Sequence, residues 1–143
     1  MAAIPSEWLD DEAIRAIYRK KVIAVVGISR DPSKAAGYVP EYLLEQGYNV
    51  IPVNPFAGTI MGRKCYKTIA DVPVTIDVVD VFRPSDEAAK VVEDAVAKGV
   101  KTVWLQEGIF SQEAAAKARA ADITIVWNRC IMKEHRRLFG AVP

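Results

Sequence analysis

The chain has 143 residues, is 51% hydrophobic and 26% charged, and carries a formal net charge of +1. That length allows one sizeable core and not two ordinary domains, and the composition excludes intrinsic disorder. Near-neutral charge excludes a whole-surface attraction to nucleic acid or membrane, so any basic site has to be local.

The first stretch, "MAAIPSEWLDDEAI", has no basic region leading into a long apolar one. No secretory leader is expected, and no apolar run reaches the length of a membrane span. Residues 5–21, "PSEWLDDEAIRAIYRKK", read as a helix with Ser6 as cap and Trp8, Ala13, Ile14 and Ile17 facing inward. "VIAVVG", Val22 to Gly27, is too short for a buried helix and rich in β-branched residues, so it is the first strand. Pro32 opposes a direct entry into a helix, which sets the next helix at about Tyr38, within "YVPEYLLEQG", stopped by Gly47. "YNVIPVNP" is a second strand, and residues 54–66 read as a loop. "IDVVDVFRP" is a third strand. In "SDEAAKVVEDAVAKG", Ser85 caps a helix, Gly99 ends it, and Ala88, Val91, Val92, Ala95 and Val96 share a face. A fourth strand, "VKTVWLQ", a helix capped by Ser111, a fifth strand, "ITIVW", and a closing helix, "IMKEHRRLFG", complete the chain.

Strands alternating with helices specify an α/β fold: one Rossmann-like domain over residues 1–143, with a parallel five-stranded sheet covered by helices on both faces. The expected strand order is 3-2-1-4-5, with a ligand at the carboxyl ends of the strands. Cys65 and Cys130 form neither a metal spacing nor a disulfide framework, and free thiols suit a cytoplasmic location.

The residues that follow each strand should converge on one edge. They include Gly27, Ser29, Arg30 and Lys34, then Asn54 and Pro55, then Arg83, then Gln106 and Gly108, then Asn128, Arg129 and Cys130. Such a polar, partly cationic rim above an apolar sheet suits a phosphorylated small molecule. The dinucleotide fingerprint is incomplete, because Ser29 and Pro32 stand at its second and third glycine positions. Gly27 can still make the tight turn, or it is simply a strand-to-helix turn. NAD enzymes place a carboxylate after the second strand for the ribose, and here Asn54-Pro55 stands there. Arg63 and Lys64 leave room for a 2′-phosphate. Arg83 and Arg129 are either phosphate forks or ion-pair partners of carboxylates such as Asp31, Asp86 or Glu107. His135 reads as part of a solvated basic helix face. No Ser-His-Asp set or zinc set is evident. Asp77 should begin its strand at the far edge, and Asp80 should be buried or flank the sheet. Cys130 is either a thiol acidified by Arg129 or a small core filler. Trp104 and Trp127 read as core or helix-packing residues.

The ordered segments "VIAVVGIS", "GYNVIPVNP", "GRKCY", "IDVVDVFR", "VWLQEGI" and "NRCIMKEHRRL" resemble the CoA-binding protein family. That family is small and Rossmann-like, and similar to the N-terminal CoA-binding domain of the succinyl-CoA synthetase alpha subunit. The resemblance spans about residues 21–138. It implies coenzyme A, or an acyl-CoA, lying across the carboxyl edge of the sheet. Gly27, Ser29, Arg30 and Lys34 would take phosphate, and Val53, Asn54 and Pro55 would border the adenosine. Phe82 and Arg83 would touch the nucleotide or pantetheine, Gln106, Gly108 and Ile109 would line the pantetheine path, and Asn128, Arg129 and Cys130 would close the thiol end. The synthetase's phosphorylated histidine and partner subunit belong to parts that this sequence does not match, so ligation is not carried over. The leading expectation is a CoA-binding module without chemistry of its own, acting alone, as a homodimer or beside a partner enzyme. The alternatives are an NADP-linked oxidoreductase using Arg63 or Lys64, and a scaffold that works through a protein partner.

Overall fold

Short apolar runs that are greasy on both faces form strands covered from both sides. The computed structural model describes residues 9–140. In chain order its elements are α1 (Asp11–Tyr18), β1 (Val22–Val26), α2 (Ala35–Glu45), β2 (Asn49–Val53), the two-residue strands β3 (Thr59–Ile60) and β4 (Arg63–Lys64), β5 (Val78–Val81), α3 (Ala88–Lys98), β6 (Thr102–Leu105), α4 (Gln112–Ala120), β7 (Thr124–Val126) and α5 (Ile131–Phe139). One parallel sheet runs β2-β1-β5-β6-β7. Helices α3 and α4 cover one face together with residues 69–76, and α1, α2 and α5 cover the other around Trp104. No described helix is long and apolar enough to cross a membrane.

The parallel five-stranded sheet is as expected, but its order is not. The strand at residues 78–81 was expected outside β2 and instead lies beside β1, with Val79 paired to Ala24. The outer seat beside β2 is held by a single residue, Tyr66. Its amide donates to the Pro52 carbonyl (3.0 Å) and its carbonyl accepts from Asn54 (2.9 Å). Pro52 has no N–H to offer a full neighbour, which suits a strand that ends the sheet. The segment read as a loop, residues 54–66, therefore contains the β3–β4 hairpin and this one-residue bridge. The chain reverses direction across the sheet between β1 and β5, and that is where a crevice opens above the strand ends.

Local chemistry set several helix ends otherwise than expected. Helix α1 is capped by Asp10, whose Oδ1 accepts from the Ala13 amide (2.9 Å). Ser6 and Trp8 lie outside the described residues. Ile14 and Ile17 are buried as expected. Helix α2 starts at Ala35, before Tyr38, because Pro32 sits in a turn closed by the Lys34 amide on the Asp31 carbonyl (3.1 Å). Ser85 does not cap α3. It lies in a short 3-10 turn, and its hydroxyl accepts from the Phe110 amide (3.1 Å), tying α3 to the end of β6. Val96 is 38% exposed and drops out of the inner face of α3. Ser111 caps α4 through the Ala114 amide (3.0 Å), as expected.

Candidate functional site

The carboxyl edge is assembled from the turns after β1, β2, β5, β6 and β7. Gly27 has a φ of 83°, and a Cβ there would stand 2.9 Å from Arg83 Cδ and 3.1 Å from the Phe82 carbonyl. Glycine lets the turn after β1 close directly onto the turn after β5. Asn54 locks the neighbouring turn: its amide donates to the Ile28 carbonyl (2.9 Å) and its carbonyl oxygen accepts from Phe56 (2.8 Å). Val53 is buried at the end of β2 and Pro55 is exposed beside it. Ser29 accepts from the Asp31 amide (3.0 Å), and its own amide is spent on the Ala36 carbonyl (3.0 Å). Its hydroxyl proton remains for an acceptor.

Two shallow grooves flank this turn system. One is lined by Ser29, Arg30, Gly37 and Glu41 and by the hairpin residues Thr59 to Gly62. Arg30 ties it together by donating to the Thr59 carbonyl (3.0 Å). The other is lined by Glu107, Asn128, Arg129, Cys130, Lys133 and Glu134. Asn128 has a φ of 56° and accepts from the Gly108 amide (2.7 Å), which holds the turns after β6 and β7 against each other. Ile109 packs, half-buried, on the α3–α4 side. The hairpin, Glu41 and Lys133 were missed in the sequence. The glycine pair Gly58 and Gly62 around "TIM" was the available signal for the hairpin.

The rim is cationic in composition but mostly paired. Arg83 binds Glu87 (2.6 Å), Arg129 binds Glu134 (2.7 Å) and Lys133 binds Glu107 (2.8 Å). For Arg83 and Arg129 the ion-pair alternative is the observed one, with partners other than Asp31, Asp86 and Glu107. Glu87 lies four residues after Arg83, and Glu134 five residues after Arg129 on α5. Among the described residues Lys34 is exposed and has no carboxylate within ion-pair distance. Phe82 is half-buried beside Arg83.

Two expectations are corrected, and for Cys130 the core-filler alternative is the observed one. Gln106 does not line a surface. It is 4% exposed, donates to Asp80 Oδ1, and accepts from the Ile131 amide (3.3 Å). Cys130 is not an acidified thiol. Burial pushes its thiol up, and the Lys133 and Met132 amides only partly oppose this. His135 is not on a solvated face. Its Nδ1 lies 2.7 Å from the Tyr42 hydroxyl, its ring packs edge-on against Tyr18, Tyr42 and Tyr48, and burial, then Lys21, holds it below the usual histidine range. Arg63, in β4, reaches to the start of β2, donating to Asn49 Oδ1 (2.9 Å), away from the edge where a 2′-phosphate would need it. Asp77 begins its strand at the far edge, accepting from Val22, and Asp80 is fully buried, both as read.

The family model described as the CoA binding domain matches residues 21–136. The chain belongs to the CoA-binding domain family. It is 45% identical to a hypothetical protein from Pyrococcus horikoshii whose solved structure superposes with a TM-score of 0.92, covering 98% of this chain and 99% of that one. The uncharacterized protein YneT of Bacillus subtilis is 31% identical over 83% of this chain and 88% of its own length. The ADP-forming acetate–CoA ligase of Methanocaldococcus jannaschii is 30% identical over 73% of this chain, which spans only 15% of the ligase.

Proposed function

We propose that this chain binds coenzyme A or an acyl-CoA across the carboxyl edge of the sheet, as a single domain without chemistry of its own. The observation that carries the reading is the closure of Gly27 onto Phe82 and Arg83 in a member of a CoA-binding family. That contact gathers a turn able to face phosphate, an arginine and a half-buried aromatic ring at one point of the edge. Gly27, Ser29, Arg30 and Lys34 take the phosphates, with Arg30 and Lys34 cations that a phosphate reaches without displacing a carboxylate among the described residues. Val53, Asn54 and Pro55 border the adenosine. Phe82 and Arg83 take the middle of the ligand, Arg83 exchanging Glu87 for phosphate. Gly108, Ile109, Asn128, Arg129 and Cys130 line the pantetheine end, and Gln106 supports them from below. Guanidinium and ammonium contacts to phosphate are charge-assisted and among the strong hydrogen bonds.

Thermal unfolding with CoA, acetyl-CoA, NAD, NADP or ATP, added one at a time, tests this. A ligand at about one hundred times its Kd adds about 2.7 kcal/mol, enough for a clear shift. The expected result is a shift with CoA or acetyl-CoA that is lost in Arg83→Ala combined with Lys34→Ala. A shift with NADP alone, or binding untouched by the double substitution, rejects the reading.

A further inference from the structure

Asp80 lies fully buried in the middle of the sheet, between Val25 of β1 and Trp104 of β6. Oδ1 accepts from Gln106 Nε2, and Oδ2 has no hydrogen-bond partner among the described residues. A buried carboxyl group with one orphaned oxygen is costly, and an apolar side chain of similar volume would remove that cost. Packing alone therefore does not account for an aspartate at this position.

Its contacts lead to the edge. The Gln106 amide that donates to Asp80 accepts, on its other side, from the Ile131 amide in the first turn of α5. Trp104, the neighbour of Asp80 on β6, donates from Nε1 to the Arg129 carbonyl (2.8 Å). Arg129 and Cys130 immediately precede α5 and line the edge groove. These two polar contacts, one buried and one part-buried, thus hold the segment that presents both residues.

We infer that Asp80 is a positioning residue of the edge site: its carboxyl orients the Gln106 amide that holds the start of α5, and it takes up a proton when an anionic ligand binds there. The inference rests on the carboxyl edge being the ligand site. Burial raises Asp80 to about 7, opposed in part by the Gln106 hydrogen bond and the nearby Val81 amide dipole, so its proton exchanges in the neutral range. The other titratable groups around it are shifted by burial or ion-paired. Tyr18, from α1, is raised far out of range by burial and donates to the Ile131 carbonyl (2.6 Å). Cys130, just before α5, is raised by burial, while Glu134, on α5, is held low by Arg137 and Arg129. Glu107, after β6, is paired with Lys133, and β1 presents only Val25. His135, further along α5, is held low. A polyanion at the edge disfavours a second buried negative charge beneath it, so binding draws a proton onto Asp80 once the pH exceeds its pKa.

The test is calorimetric titration of CoA into the wild-type protein and Asp80→Asn, in buffers of different ionisation enthalpy, from about pH 6 to about pH 8.5. Titration of the ligand's own phosphate and of His135 is common to both proteins. The expected result is proton uptake near pH 8 in the wild type only, with affinity falling about tenfold more across the range than in the variant, the equivalent of one pKa unit. Identical pH dependence in the two proteins overturns the inference while leaving CoA binding in place. Failure of the wild type to bind CoA at every pH removes the edge reading and the inference with it. If Asp80→Asn does not fold, the carboxyl 13C shift of Asp80 in the wild type decides: a midpoint unmoved by CoA overturns the inference.

Discussion

Gly37 sits in the first turn of α2, where the helix scale favours alanine over glycine by about 1 kcal/mol. The structure reverses that sign. A Cβ at Gly37 would stand 2.8 Å from the Asp31 carbonyl carbon and nearer still to its oxygen, with Pro32 Cα at 3.3 Å. Carbon atoms pack without strain at about 3.5–4.0 Å, so one backbone segment has to move. Neither is loose. The Asp31 carbonyl accepts from Lys34, its amide donates to Ser29, and the Ala36 carbonyl accepts from Ser29. Overpacking costs about 1–3 kcal/mol, and a clash against backbone belongs at the upper end. Subtracting the helix gain leaves Gly37→Ala less stable by about 2 kcal/mol. For a chain of this size that is a fall in Tm of about 4–8 °C. Urea unfolding followed by far-UV circular dichroism should show a lower midpoint at unchanged slope. A midpoint equal to or above the wild type refutes the close-approach argument.

Other expectations follow from single contacts. The folded-state pKa of Asp80 is raised from 3.8 to about 7, so the folded state holds its proton longer than the unfolded one. Stability attributable to Asp80 is full below about pH 4, falls as the pH rises towards 7, and stays lost above it, by at most about 4 kcal/mol at 1.36 kcal/mol per unit. Asp80→Asn should flatten that slope in urea titrations, and an unchanged slope contradicts the raised pKa. Tyr42→Phe deletes the hydroxyl facing His135 Nδ1 and should cost about 1 kcal/mol in the same assay. It should also shift the His135 ring resonances by NMR, and unmoved resonances would exclude the contact. Gly27→Ala puts a side chain at φ 83° against Phe82 and Arg83 and should cost about 1–2 kcal/mol. Its CoA affinity should fall as well, and full affinity would show that the Gly27–Arg83 closure is not part of the site.

Much of the fold was legible because it is written in neighbouring residues. The run "VIAVV" has no polar face to show water, and the spacing of Ala88, Val91, Val92 and Ala95 gives one buried stripe. These local patterns set the five long strands, the helices between them and the edge where their following turns meet, and the ordered segments carried the family. Contacts that no hydrophobic period marks decided the rest, most of them between residues distant in sequence. β5 pairs with β1 and not outside β2, because Tyr66 already occupies that seat over Pro52. Arg83 and Arg129 spend their charge on Glu87 and Glu134, Gln106 turns inward to Asp80, and His135 packs into tyrosines from α1, α2 and the start of β2. The sequence by itself determined which segments are strands and helices, since that depends on hydrophobic period and turn residues within a few positions. Only the tertiary structure decided which polar side chains remain for a ligand, since the charge and hydrogen bonds of each are set by whichever partner the packed fold brings within about 3 Å.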